Sequence, residues 1–166
     1  MTTLHRARAV IAALLLATAT AACSQQKDTT LETRTVGEAT STVNDYLTQT
    51  LTLIGPDARQ SKPGGTTDIP CSDAPNAPND QFGVAGHYQI ENPTEAPKAT
   101  IARLQQAWQN KGYTQNDYRT SDPERPELTV TNPADHIKIT AEVIKDAPRI
   151  ALTIGTPCYH SPTPLY

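Results

Sequence analysis

The sequence predicts an α+β fold: a two-layer sandwich in which a mainly antiparallel sheet of about five strands carries two helices on one face. Three observations point there. Apolar residues recur at helical spacing in two separate stretches, alternate with a period of two in several shorter ones, and are punctuated throughout by Pro, Gly, Asn and Asp.

Val36, Val43, Leu47, Leu51 and Ile54 share one helical face, Ala39, Tyr46 and Thr50 fill the same side, and Gly55-Pro56 ends the pattern. Residues 55–81 then hold Pro56, Pro63, Gly64, Gly65, Pro70, Pro75 and Pro78, so they read as a long loop in need of a tie. Val84, Gly86, Tyr88 and Ile90 alternate as in a half-buried strand. Asn92-Pro93-Thr94-Glu95 reads as the start of a second helix, capped by Asn92 or Thr94. Ile101, Leu104 and Trp108 form its apolar face, and Gly112 is the expected stop. Strands are expected at 113–119, 127–131, 136–144 and 149–156, giving the order α-β-α-β-β-β-β. In the last two, Ile137, Ile139, Ala141 and Val143, then Ile150, Leu152 and Ile154, turn one way. Lys138, Thr140, Glu142 and Thr153 turn the other way, so one sheet face is dry and the other wet.

Ahead of this domain, residues 1–22 have the parts of a secretory signal: Arg6 and Arg8, an apolar run from Ala9 to Leu16, and small residues before a cut. The run is about half of the ~20 residues that a membrane-spanning helix needs. Ala17-Thr18-Ala19 and Ala19-Thr20-Ala21 both fit ordinary small-x-small cleavage. Thr20-Ala21-Ala22-Cys23 resembles the lipobox of bacterial prolipoproteins, with Thr20 where Leu is usual. That resemblance implies a Cys23 that carries the lipid, as the first residue of the mature chain, at the extracytoplasmic face of the cell membrane. Residues 23–35 then read as lipidated Cys and flexible tether, 36–158 as a single domain and 159–166 as a proline-extended tail.

Three Cys in an exported chain leave one to explain. Cys71 lies ahead of the first expected strand and Cys158 just beyond the last, so antiparallel pairing of those strands brings the two together. A Cys71–Cys158 disulfide leaves Cys23 for the lipid. Taken with Pro70-Cys71, Trp108-x3-Gly112-Tyr113 and Thr156-Pro157-Cys158, the chain resembles small actinobacterial envelope lipoproteins. This implies a location and a fold and carries over no catalytic residue.

Loss of Arg6 and Arg8 takes the formal net charge from −3 to −5. The remaining basic residues are scattered, which argues against nucleic acid or anionic headgroups as partners. No spacing suits a metal, a nucleophilic serine or a phosphate loop, and no cofactor is implied. Asp122, Glu124 and Glu127 read as a charged turn, and Asp135 as turn chemistry beside His136. His87 and Tyr88 are the residues singled out for ligand contact, with His87 on the Ala85-His87-Gln89 face of its strand. The expected function is a lipid-anchored, non-enzymatic binding module for another envelope protein or a small ligand. The alternatives are an enzyme, a hydrolase or transferase assembled around His87 with an acid from the 120s, and a carrier of a small apolar ligand.

Overall fold

Thr35 opens the first helix with a reciprocal cap. Its hydroxyl accepts the Glu38 amide at 3.2 Å, and the Glu38 carboxylate accepts the Thr35 amide at 2.8 Å, which satisfies two backbone donors at once. In the computed structural model, which describes residues 31–71, 79–92 and 94–165, helix α1 runs Val36–Ile54. It stops at Gly55, whose φ of +133° suits a residue without a side chain. The expected signal sequence, the lipobox-like stretch and Cys23 lie outside the described residues.

Eight further elements follow: β1 (Arg59–Pro70), β2 (Gln81–Glu91), α2 (Pro97–Asn110), β3 (Thr114–Arg119), β4 (Glu127–Thr131), β5 (Lys138–Val143), β6 (Arg149–Gly155) and β7 (Tyr159–His160). Among the described residues the seven strands form one sheet in the order β1-β2-β6-β5-β4-β3, with β7 also beside β2. Every strand pair is antiparallel. Among the described residues the fold is therefore α+β with two helices, as the periodicities indicate. There the sheet has seven strands instead of about five, and the order is α-β-β-α-β-β-β-β-β.

The two added strands escape sequence reading for different reasons. In β1 the Pro63-Gly64-Gly65 run signals a loop, but the pairing with β2 absorbs it through register shifts between Gln60 and Lys62 and between Lys62 and Gly65. An edge strand tolerates both the bulge and the missing N–H. β7 is only two residues long, too short for any period. It converts part of the expected tail into structure: Tyr159 is 3% exposed, its ring centroid 6.1 Å from that of Phe82. On the other side, Arg34 N–H donates to His160 O and His160 N–H to Glu32 O, each at 2.9 Å, so the last residues of the expected tether run alongside β7.

The second helix also starts differently. Its N-cap is Ala96, with no side-chain cap, and Pro97 occupies a first-turn position where its missing N–H costs nothing. Asn92 instead makes the preceding turn, its side-chain oxygen accepting the Thr94 amide at 3.2 Å. Gly112, at φ +80°, ends the helix as expected, with Tyr113 N–H donating to Trp108 O at 3.0 Å.

Cross-strand register places the core. Ile90–Ile150–Val143, Tyr88–Leu152–Ala141–Leu128 and Gly86–Ile154–Ile139–Val130 are rows of facing partners, and every member is buried. Val43, Leu47 and Ile54 of α1 and Ile101, Leu104 and Trp108 of α2 cover those rows. Burying side chains of this size stabilises by about 1.5–3 kcal/mol each. Gly86 is fixed by close approach: a Cβ there would sit 2.5 Å from the Tyr88 hydroxyl and 2.7 Å from Val43 Cγ1. At Gly64, across the bulge, it would sit 2.1 Å from Tyr88 Cδ1. The Tyr88 ring thus lies across two glycines, one from each strand of the hairpin. Gly86→Ala is expected to destabilise by more than ~1 kcal/mol through overpacking. A chemical-denaturation midpoint equal to wild type would show that Tyr88 has room to move.

The Cys71 and Cys158 sulfurs lie at bonding distance, with Cα atoms 6.0 Å apart across a sequence separation of 87. A loop of that length gains about 4.5 kcal/mol from restraint of the unfolded chain in the entropic account. Cys71→Ser is expected to lose roughly 2–5 kcal/mol of unfolding free energy; unchanged stability in denaturant would rule out that restraint.

Candidate functional site

The pleat that buries one set of side chains turns the alternate set to the opposite face. One row there reads Gly65–His87–Thr153–Thr140–Thr129–Asp117 across six strands. The next reads Gln89–Ala151–Glu142–Glu127–Arg119. Among the described residues both helices lie on the other face, so this one is open. Its side chains bond to one another: His87 Nδ1 lies 3.2 Å from Thr153 Oγ1, and the Thr129 and Thr140 hydroxyls are 3.0 Å apart. Arg149 Nη1 donates to Gln89 Oε1 at 3.0 Å. Glu127 and Glu142, facing like charges that would repel, are each neutralised by an arginine, Arg119 and Arg125 respectively.

Where β1 bulges away from β2, this face is indented. Gly64, His87, Gln89, Ala151 and Thr153 line a hollow of about 280 Å³, with Tyr88 and Leu152 contributing beneath. The hollow owes its floor to small residues and its rim to polar ones. It is the candidate site.

His87 stands at its rim, exposed, as expected for the Ala85-His87-Gln89 face. Tyr88 does not join it: its ring is on the core face, 6% exposed, with its hydroxyl 3.4 Å from Asn44 Oδ1, and burial raises its pKa. The acids of the 120s are not brought to His87 either. Glu124 pairs with Lys98 at 2.6 Å, Glu127 with Arg119, and Asp122 Oδ1 accepts the Glu124 amide at 2.9 Å. Strands β6 and β5 stand between β2 and β4, which puts Glu127, one row further along, more than roughly 14 Å from His87 at ~4.8 Å per strand. His136 is exposed at φ +61°, and His160 Nδ1 lies 3.5 Å from Asp80 Oδ2 at the opposite end of β2 from the bulge. Among the described residues no group of three or more His, Cys, Asp or Glu is arranged to hold a metal.

A second polar cluster was not legible beforehand. Tyr46, on the buried side of α1, donates its hydroxyl to Asp135 Oδ2 at 2.6 Å and accepts from Asn132 Nδ2. Asp135 Oδ1 takes the Ile137 amide at 3.2 Å, which is the turn role expected of it. Burial, then the bond to Asp135, holds the Tyr46 pKa far above the ordinary phenol range, and burial raises that of Tyr113 beside it. A phenol so held is a donor and not a base. The cluster ties α1 to the β4–β5 hairpin.

No protein family, curated protein or solved structure matches this chain.

Tyr46→Phe leaves Asp135 and Asn132 without their shared partner and is expected to cost about 1–3 kcal/mol of stability. His87→Ala, on the open face, is expected to change stability by less than ~0.5 kcal/mol. Thermal unfolding of the two variants checks this; the reverse ranking would mean that the structural and solvent-facing roles are misassigned.

Proposed function

We propose that the protein is a binding module of the cell envelope, lipid-anchored through Cys23 at the extracytoplasmic side of the membrane, which presents the open polar face of its sheet to a ligand or partner. The observation that carries the reading is the asymmetry of the sheet. One face is filled by Phe82, Trp108, Leu104, Ile139 and their neighbours; the other is uncovered among the described residues and indented at His87, Gln89 and Thr153.

Several features support it. A cross-link between Cys71 and Cys158 belongs to an oxidising compartment, which suits an exported chain. Among the described residues no helix is long and apolar enough to cross a membrane, so attachment through Cys23 would not compete with a helical span there. The eight residues Ser24–Leu31 reach at most ~28 Å, so an anchored Cys23 would keep the domain close to the lipid. Binding suits the face better than catalysis, because Glu127 and Glu142, the carboxylates of that face, are engaged with arginines and do not orient the His87 imidazole. A carrier of apolar ligands would need space between sheet and helices that the buried side chains occupy.

Detergent-phase partitioning of the expressed chain tests the anchor. Wild type is expected in the detergent phase and Cys23→Ala in the aqueous phase; equal partitioning of the two would end the lipoprotein reading.

A further inference from the structure

We propose that the hollow at His87, Gln89 and Thr153 binds the amide group of a short peptide segment, an inference that rests on the open face being the binding surface. A guanidinium has only donors, so the bond from Arg149 Nη1 identifies which end of the Gln89 amide is oxygen. The Gln89 NH₂ group is then a donor with no partner among the described residues, at the wall of the hollow.

The His87–Thr153 pair supplies the rest. In the neutral ring one nitrogen carries the proton and the other does not. If the Thr153 hydroxyl donates to Nδ1, the ring offers Nε2–H as a donor and the hydroxyl oxygen as an acceptor. If Nδ1–H donates to Oγ1, the hydroxyl offers a donor and Nε2 an acceptor. Either tautomer leaves a donor and an acceptor site. With the Gln89 NH₂ the hollow therefore holds donors from two side-chain groups and an acceptor beside them, which suits a peptide group, whose carbonyl takes donors and whose N–H takes an acceptor.

Other small ligands fit less well. A carboxylate brings acceptors only and would face the unmatched acceptor of the His87–Thr153 pair. A sugar ring is usually held by stacking on an aromatic face, and the one phenol ring of the lining, Tyr88, lies on the core side. Ala151 and Gly64 give the hollow an apolar floor suited to a small side chain. About 280 Å³ is at the small end of ligand pockets, enough for a short segment and not for a large cofactor.

Gln89→Glu is the discriminating variant, because it keeps the Arg149 contact as an ion pair and replaces the outward NH₂ by an acceptor oxygen. Thr153→Val removes the hydroxyl at constant shape and serves if the first variant folds poorly. The ¹⁵N-labelled full-length protein in detergent micelles is titrated separately with N-acetyl-alanyl-alanine methylamide, N-acetylglucosamine and sodium acetate. The peptide is expected to shift the amide signals of His87, Gln89, Ala151 and Thr153, with affinity at least tenfold weaker in either variant. Shifts of those signals by the sugar or acetate but not by the peptide would overturn the amide assignment and leave the open-face reading standing. Peptide shifts undiminished in both variants would also overturn it. No shift anywhere on the open face with any of the three probes would overturn both.

Discussion

The register of β2 against β6 is the constraint on which the rest of the molecule depends. Tyr88 faces Leu152 and Ile90 faces Ile150 on one side of the sheet; His87 faces Thr153 and Gln89 faces Ala151 on the other. The same ladder of backbone bonds therefore assembles the core and the hollow together. Because side chains alternate with a period of two, a slip of one residue would send Tyr88 and Ile90 into water and His87 and Gln89 under the helices. Packing of α1 and α2 penalises such a slip, so the apolar face enforces the geometry of the polar one.

That coupling explains which parts were legible in the sequence. The opposition of His87 and Tyr88 follows from the strand period alone, and the dry faces of β5 and β6 were read correctly from Ile139, Ala141, Ile150, Leu152 and Ile154. The C-terminal end of α1 was legible because Gly55-Pro56 cannot continue a helix. What stayed hidden depends on contacts between distant positions. The partner of Gln89 lies 60 residues away at Arg149, and that of Tyr46 lies 89 away at Asp135, and neither local composition nor spacing marks such pairs. β1 was hidden for the opposite reason: Pro63, Gly64 and Gly65 carry a strong local loop signal, which pairing with a long β2 overrides. The start of α2 shows a third case, in which Asn92 does have the chemistry of a cap but spends it on the turn before the helix.

The sheet also manages its margins in different ways. At one edge β3 presents Thr114–Arg119, a short, polar strand with a register shift between Gln115 and Asp117. At the other, β1 is broken by its bulges. Irregular and polar edges discourage pairing with other chains. In β1 the irregularity has a second effect, since the departure of Gly64 from regular pairing is also what opens the hollow beside His87.

The short β7 has a mechanical meaning. Thr33 bridges His160 in parallel, Arg34 sits 5.1 Å from the Tyr159 ring centroid, and Cys158 immediately precedes that strand. Tension applied to the N-terminal segment would therefore reach the domain as shear across the two bonds joining Glu32 and Arg34 to His160. From there it would pass through Tyr159 into the Cys71–Cys158 cross-link and the long hairpin. Helix α1 shares in that load through the bond from Arg34 to Thr42 and the cap between Thr35 and Glu38. A pull on the segment before Glu32 would thus be divided between the cross-linked hairpin and the helix that covers the core.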